Sequence, residues 1–248
     1  MKRTIAKLRD GKHVTIVALG DSITEITFHT RGKMNWVGLL SEAIFETYGN
    51  GVCTMINSGK CASSYEEAFS RLDRDVLRYQ PDLVILAFGM NDSGQDLEGL
   101  EGFKQQVREM AGRIREACGS EILIRTPNPV VSVNGVPWPP GISAAGMVWD
   151  PPNHPLKEYA EALVEVGSEL ECPVVDHYRL WTEKAFKVQQ PVADAQALWP
   201  RMGDAIHPGY LGHVAFFREM APLFGVEKYF PWEDVDEFEI RRSARKVV

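Results

Sequence analysis

Hydrophobic residues along the chain occur in two alternating patterns. Short continuous apolar runs are typical of buried strands, and segments with an apolar residue at every third or fourth position are typical of amphipathic helices. Five runs predict strands, at residues 14–19, 52–56, 83–88, 122–124 and 173–176. Helical spacing fills the intervals between them, over about 35–48, 65–77, 97–114 and 156–170, and returns over 210–220. Strands that alternate with helices favour right-handed crossovers, so the pattern predicts an α/β fold with a parallel sheet covered on both faces.

The regular pattern is interpreted as one domain over residues 1–248, because no repeat, low-complexity linker or shift of composition divides the chain. Residues 126–155 depart from it, since they form a proline-rich stretch that carries Trp138 and Trp149. A long irregular loop of this kind is often a lid or a wall of a binding site. A structural excursion packed by its own tryptophans is an equal alternative. The charged tail, residues 231–248, is interpreted as a solvated end or a docked terminal helix.

Charge and composition argue against several classes of function. The formal net charge of −7 disfavours binding to nucleic acid, which needs clustered lysine and arginine. The apolar runs are much shorter than a membrane span, and the N-terminus lacks the apolar stretch of a signal peptide, so we expect a cytoplasmic protein without membrane insertion. The four cysteines are too scattered for a CxxC motif and are expected to be free, with Cys61 packed rather than accessible. A homo-oligomer is left open.

Polar residues follow three of the predicted strands. Ser22 lies in a Gly-Asp-Ser segment after the first strand, Gly59 in an Asn-Ser-Gly segment after the second, and Asn91 in a Gly-Met-Asn-Asp segment after the third. Because the carboxyl ends of parallel strands meet at one edge of a sheet, these residues are expected to lie together. Asp204 and His207, in an Asp-x-x-His-Pro segment before the last predicted helix, are placed to loop back over that edge.

Together these residues supply the parts of acyl-transfer chemistry. A serine hydroxyl is a weak nucleophile that needs an adjacent base, and His207 with Asp204 as its orienting partner would activate Ser22. The oxyanion formed by attack on an ester needs hydrogen-bond donors already in position. The available set is the backbone N–H groups of Ser22 and Gly59 and the side-chain amide of Asn91. Each residue alone is equally explained as a turn former or a helix cap, and the combination favours catalysis.

These segments resemble the four sequence blocks of the SGNH hydrolases, also called the GDSL esterase/lipase family, over about residues 14–220. The four residues that give the family its name are matched by Ser22, Gly59, Asn91 and His207. The resemblance implies a three-layer α/β/α, flavodoxin-like fold with five parallel strands in the order 2-1-3-4-5. It also implies serine esterase activity on a small-molecule ester, with neither a metal nor another cofactor.

Two positions depart from the family's usual pattern. Members often have glycine where this chain has Ile26, and a further glycine where it has Ala62. Both changes affect the shape of the loops around the site and leave the catalytic groups Ser22, Asp204 and His207 in place. They bear on the class of substrate rather than on the chemistry.

The substrate is predicted to be a small O-acyl ester, most simply an acetyl ester of a carbohydrate or another polar alcohol. The expected location without access to a bilayer supports this prediction. The flat faces of Trp138 and Trp149, which would stack well on sugar rings, also support it, and Asp21 is a further candidate for substrate binding. If the tryptophans instead line an apolar acyl pocket, the enzyme would be a lysophospholipase or an acyl-thioesterase.

Two alternatives fall outside serine esterases. The first is a metal-dependent phosphoesterase, with ligands drawn from Asp21, Asn91, His207 and His213. Such a site needs several converging His and Asp side chains, and the strand-end segments bring no histidine, so His213 is better explained as a residue of the last helix. The second is a non-catalytic binding protein on the same scaffold, since a fold does not fix a function. The complete set of nucleophile, base, orienting group and oxyanion donors argues against it.

Overall fold

Five parallel strands form the central sheet of the computed structural model, which describes residues 1–25, 27–130, 132–133, 136–137, 155–185, 202–203 and 206–229. The sheet strands are β1 (Val14–Gly20), β2 (Cys53–Gly59), β3 (Leu83–Ala87), β4 (Glu121–Arg125) and β7 (Val174–Val175). Their order is β2-β1-β3-β4-β7, and every neighbouring pair is parallel. In order of appearance along the chain this is 2-1-3-4-5, which confirms the predicted topology.

Helices connect the strands and cover the sheet. The described helices are α1 (Lys2–Arg9), α2 (Ser22–Glu25), α3 (Trp36–Tyr48), α4 (Tyr65–Ser70), α5 (Leu72–Asp75), α6 (Leu100–Cys118), α7 (Leu156–Glu169), α8 (His177–Ala185) and α9 (Tyr210–Phe224). Short 3-10 turns lie at Leu77–Tyr79, Asp92–Gln95 and Leu97–Gly99. Among the described helices, none is long and apolar enough to cross a membrane.

Two apolar clusters lie on the two faces of the sheet. Successive side chains of a strand point to opposite faces, so Ile16 and Ala18 of β1 join one cluster, whereas Val17 and Leu19 join the other. The first cluster contains the buried apolar residues of α3 and α9, and the second contains those of α4 and α6 and most of those of α7. The arrangement is the three-layer α/β/α architecture that the resemblance implied.

The segment predicted as one helix over 65–77 is broken at Arg71. α4 ends at Ser70 and α5 begins at Leu72, while Arg71 itself has φ −110° and ψ 7°. The guanidinium group explains the break, because it turns inward to donate to the backbone oxygens of Gly20 and Ser58. Apolar spacing does not reveal the break, since the buried apolar residues on both sides of it pack into the same cluster.

Other boundaries also differ from the predictions. β2 continues three residues beyond residue 56, because it stays in register with β1 as far as the pair Gly20 and Gly59. α6 is preceded by the 3-10 turn at 97–99 and runs to Cys118. The helices α1, α2 and α8 were not predicted. Only Thr4 and Leu8 of α1 are buried, and α2 is a single turn, so neither carries a long apolar pattern.

Part of the proline-rich stretch is described. Residues 126–130 follow β4, and the short strands β5 (Ser132–Val133) and β6 (Val136–Pro137) form an antiparallel pair. Trp138, Trp149 and the tail 231–248 lie outside the described residues. All four cysteines are free, and Cys61 is exposed, so the expectation that it is packed was wrong.

Candidate active site

Ser22 begins α2 directly after β1, at the carboxyl edge of the sheet. Gly20 lies in register with Ala87 of β3. A Cβ atom at Gly20 would come within 2.8 Å of the Ala87 oxygen and 2.2 Å of Thr24 Oγ1, so the chain can turn here only with glycine. The carboxylate of Asp21 accepts a hydrogen bond from the N–H of Ile23 at 2.9 Å and thereby fixes the first turn that carries the serine.

The structure brings Ser22 and His207 together across 185 residues of sequence. Ser22 Oγ lies 3.0 Å from His207 Nε2, which is hydrogen-bond distance between a nucleophile and a general base. The loop that carries His207 closes on itself, because the N–H of Gly203 donates to the His207 oxygen at 2.8 Å and Met202 forms an antiparallel bridge with Pro208. Asp204, the predicted orienting group, lies outside the described residues.

A second imidazole supports His207. The ring of His29 stacks on that of His207 with 4.3 Å between centroids and 2° between planes. Gly203 allows this packing, since a Cβ atom there would lie 2.7 Å from the Cβ atom of His29. The sequence analysis missed His29, which lies in a polar loop that belongs to none of the recognised segments.

Asn91 lies at the carboxyl end of β3, beside the turn that follows β2. Its Nδ2 donates to the Ser63 oxygen at 2.9 Å, which leaves the second N–H of the amide for a ligand. The neighbouring Asp92 fixes this arrangement, because its carboxylate accepts from the N–H groups of Tyr65 at 2.8 Å and Gly89 at 3.0 Å. Burial raises the pKa of Asp92 to about 6 despite these two bonds.

Gly59 is a glycine for reasons of packing. A Cβ atom there would lie 2.4 Å from the Glu25 nitrogen, so only glycine lets the end of β2 approach α2 this closely. Its N–H donates to Asn57 Oδ1 at 2.9 Å. Three residues further, the N–H of Ala62 has no acceptor among the described residues, and Ala62 has a positive φ of 59° that normally favours glycine.

Arg71 joins the segments around the site, and the sequence analysis did not single it out. It is buried, with Nη1 2.9 Å from the Ser58 oxygen and Nη2 3.1 Å from the Gly20 oxygen. Nη2 also donates to Ser63 Oγ at 3.0 Å, and the ion-pair partners are Glu67 and Asp75. One side chain therefore ties the ends of β1 and β2 to the turn beside Asn91.

A second buried polar group lies beneath Ser22. Asp21 is 3% exposed, so its carboxylate is buried in this structure, and its part in substrate binding stays a prediction. Burial raises its pKa to about 6, and the positive charge of Arg125 opposes the rise. The Arg125 guanidinium lies 4.1 Å from the ring centroid of Phe216 and 5.3 Å from that of Trp36. Its Nε and Nη2 have no hydrogen-bond partner among the described residues.

His213 belongs to this buried layer, as its assignment to the last helix predicted. It lies in α9 and its Nδ1 accepts from the N–H of Trp36 at 3.3 Å. Burial lowers the pKa of His213 to about 3, so the ring is neutral at physiological pH. Within the described part of the chain, no three or more His, Cys, Asp or Glu side chains converge in a way that could hold a metal ion.

An open cleft of about 770 Å³ adjoins the histidine pair. One wall is the loop of residues 27–33, which includes His29, and the other is formed by residues 202–203 and 209–211 on either side of the His207 loop. Phe28 lies in this wall with 78% of its side chain exposed. The cleft therefore has an exposed aromatic ring in its wall and reaches the catalytic histidine through His29, which stacks on His207.

Comparisons with known proteins agree with this fold. The model of a family described as GDSL-like lipase/acylhydrolase matches residues 18–215, which confirms the resemblance noted in the sequence. No functionally curated protein matches the chain. A search of solved structures finds the acetylxylan esterase Axe2 from Geobacillus stearothermophilus, with 18% identity, 90% of this chain and 98% of that chain covered, and a TM-score of 0.64.

Two further structures share the fold. LAE5, an alpha/beta hydrolase from the metagenome of Lake Arreo, Spain, is 18% identical, with 87% of this chain and 97% of that chain covered and a TM-score of 0.65. A lipase/acylhydrolase from Enterococcus faecalis is 21% identical, with 85% and 94% covered and a TM-score of 0.61. At these identities the three structures establish a common fold, and the family match is carried by the sequence.

Proposed function

Because the chain belongs to the GDSL-like lipase/acylhydrolase family, a family of ester hydrolases, we propose that it cleaves small O-acyl esters through an acyl-enzyme on Ser22. The observation that carries this proposal is the 3.0 Å contact between Ser22 Oγ and His207 Nε2 at the carboxyl edge of the sheet. Acetyl is the acyl group we favour, carried on a carbohydrate or another polar alcohol. The acetylxylan esterase among the structural neighbours supports that choice by analogy of fold.

The reaction runs in two halves. His207 Nε2 takes the proton from Ser22 Oγ as the oxygen attacks the carbonyl carbon, and the tetrahedral intermediate then expels the alcohol, which receives that proton from His207. Water enters next, gives a proton to His207 and attacks the acyl carbon, and the ester bond to Ser22 breaks with return of the proton to Oγ. Asp204, three residues before His207, is proposed to hold the imidazole in the required tautomer.

The oxyanion is proposed to receive hydrogen bonds from the N–H of Ser22 and from the second amide hydrogen of Asn91. The N–H of Gly59 was the third predicted donor, and it would have to release Asn57 Oδ1 before it could serve. The N–H of Ala62 needs no such change and lies in the turn whose next residue, Ser63, Asn91 contacts. We therefore propose the backbone N–H of Ala62 as an additional donor to the oxyanion.

The alcohol portion is proposed to lie against the exposed ring of Phe28. A sugar ring offers flat apolar faces that pack on such a ring, and Phe28 lines the cleft beside the histidine pair. Trp138 and Trp149 stay as predictions for the same role. An apolar acyl pocket, as in a lysophospholipase or an acyl-thioesterase, would show itself through the length of the acyl chain that is preferred.

The test of the nucleophile is Ser22→Ala, assayed on p-nitrophenyl acetate. We expect kcat to fall by roughly 10⁴–10⁶-fold, because the acyl-enzyme route is lost. The matched control is Ser168→Ala, the same chemical change at an exposed position of α7. Full activity in Ser22→Ala would contradict the proposal.

The acyl preference is tested with p-nitrophenyl esters from acetate to decanoate. We expect kcat/KM to be highest for the shortest chains. A steady increase with length, by about 0.8 kcal/mol for each methylene buried, would instead identify a lipase-like acyl pocket.

A further inference from the structure

We propose that the cleft beside His207 binds a negatively charged group on the alcohol portion of the ester, through Arg31 and Lys33. The inference rests on the proposed esterase function, because it assigns the cleft to one side of the scissile bond. It makes the preferred substrate the acyl ester of an acidic alcohol, such as an acidic sugar, rather than of a neutral one.

The position of the cleft decides which half of the ester it meets. In the first half of the reaction His207 must return its proton to the leaving oxygen, so the alcohol portion has to lie next to the imidazole. The surfaces beyond that ring are therefore the ones that a long alcohol portion reaches. His29 stacks on His207 and also lines the cleft, so the cleft begins one ring away from the proton donor.

The loop that carries the two cations is held in one shape. Thr30 is buried, and its hydroxyl donates to the Thr27 oxygen at 2.8 Å or the Lys33 oxygen at 2.6 Å. The N–H of Gly32 donates to the Thr27 oxygen at 3.0 Å, and Arg31 has a positive φ of 55°. These contacts and the turn they impose fix the backbone from which Arg31 and Lys33 project, so less order is lost when a ligand binds.

Arg31 and Lys33 are cations without a carboxylate partner in the part of the chain that the structure describes. Among the described residues, neither has a carboxylate within ion-pair distance, although Lys60, Arg71, Lys104 and Arg108 all have one. Lys33 instead lies 4.6 Å from the ring centroid of Tyr210, another lining residue of the cleft. In a chain of net charge −7, two positive side chains in one cleft, neither paired with a described carboxylate, make a local site for an anion.

The chemistry of the lining fits a ring that bears an anionic group. Phe28 is exposed in the cleft and can pack on a flat ring, while a guanidinium and an ammonium recognise a carboxylate or a phosphate. Both anions share this chemistry, so the source of the charge is left to experiment.

The experiment compares acetyl esters of matched shape. The probes are 4-acetoxybenzoate, which is anionic, the neutral 4-acetoxybenzamide, and 4-acetoxyphenyl phosphate. The quantity measured is the ratio of kcat/KM for each anionic ester to that for the neutral one, in the wild type and in the double variant Arg31→Gln, Lys33→Gln. The intrinsic reactivity of each ester is the same for both proteins, so a change in the ratio reports on the cleft.

We expect the double variant to lower the ratio by roughly 3- to 10-fold, the range for two partly solvated charge contacts, and we expect added salt to shrink the difference. The matched control is Lys12→Gln, which removes a cation before the amino end of β1, away from the site. It should leave the ratio unchanged. A larger fall of the ratio for the phosphate than for the benzoate ester, from the wild type to the double variant, would assign the anion to a phosphoryl group, and the reverse order to a carboxylate.

An unchanged ratio in the double variant would overturn the proposal. Failure of the esterase function is recognised separately, since the wild type would then cleave no ester or Ser22→Ala would cleave them all. In that case calorimetric titration with 4-hydroxybenzoate and 4-hydroxybenzamide still tests the cleft. The anion should bind the wild type more tightly, and the double variant should lose that preference; equal binding of both compounds to the wild type would refute the assignment.

Discussion

Two buried arginines lie near Ser22, and their surroundings are opposite in kind. Arg71 donates to Glu67, Asp75, Ser63 and two backbone oxygens, so its guanidinium is fully bonded. Arg125 lies against the rings of Phe216 and Trp36, and its Nε and Nη2 have no partner among the described residues. On the Arg71 side of the site every N–H of the guanidinium is hydrogen-bonded. On the Arg125 side the charge is buried with few hydrogen bonds to the described residues.

The difference follows from what each side has to hold. Arg71 lies where β1, β2 and the turn at residues 60–64 end, and unpaired backbone oxygens at such ends need donors. Arg125 ends β4 against the layer of α3 and α9, and its charge stabilises the ionised form of Asp21, the residue before the nucleophile. One arginine orders the backbone of the site, and the other acts through electrostatics.

The largest effect is expected from Arg71→Met. The substitution removes one donor from each of two backbone oxygens and two carboxylates, and breaking a buried ion pair in this way typically costs about 3–5 kcal/mol. We expect the free energy of unfolding, measured in urea, to fall by that amount, and kcat to fall because Ser22 and Asn91 lose their common support. Arg113→Met, at an exposed position of α6, is the control and should change little. A cost below 1 kcal/mol would contradict the distinction drawn between the two sides.

Asp21→Asn tests the electrostatic side. The pKa of Asp21 is about 6 in the folded protein against the ordinary value of 3.8, so the folded state binds its proton more tightly. Stability therefore falls as pH rises through this interval and stays lower above it, by at most about 3 kcal/mol. We expect Asp21→Asn to be more stable than the wild type by about 1–3 kcal/mol at pH 8 and no more stable at pH 4.

Asp92→Asn is the control for that prediction. The pKa of Asp92 is also raised to about 6, but both of its oxygens accept backbone N–H bonds, and an amide can accept only one of them. We expect Asp92→Asn to lose stability at pH 8, despite the similar pKa. If both variants gain the same stability at pH 8, burial alone determines the cost of the two ionised carboxylates, and the hydrogen bonds of Asp92 do not contribute.

The fold could be predicted from the sequence, whereas Arg71 and His29, which support the site, could not. The parallel topology follows from the apolar runs, and the meeting of Ser22 with His207 from the motif segments, both of which depend on local sequence. The strand order was implied by the resemblance to the SGNH hydrolases. Arg71 could not be found, because it interrupts a helix whose apolar spacing continues across it. His29 lies in a loop without periodicity, and it reaches His207 only through tertiary packing.

Arg125→Met should have a smaller effect than Arg71→Met, and one that depends on pH. Methionine fills a similar volume between the two rings and needs no hydrogen bonds, which often offsets the loss of a buried charge. The pKa of Asp21 should rise further without the opposing cation, so its ionised form becomes costlier. We expect a change within about 1 kcal/mol at pH 5, where Asp21 is protonated, and a larger loss at pH 8. A loss that is the same at both pH values would show that Asp21 does not depend on Arg125.

Ala62→Gly gives the smallest expected effect, and it tests whether Arg71 fixes the conformation of the turn that contains Ala62. Ala62 has a φ of 59°, a conformation that costs an L residue about 1–2 kcal/mol, and glycine would remove that cost while losing some in chain entropy. We expect the free energy of unfolding, measured by thermal denaturation, to rise by about 0.5–1 kcal/mol without a loss of activity. Arg71 bonds Ser63, the next residue, so the strain should persist only while that bond holds the turn. In the Arg71→Met background, the gain in stability from Ala62→Gly should therefore be smaller than in the wild type. A gain of the same size in both proteins would mean that the turn keeps its shape without Arg71.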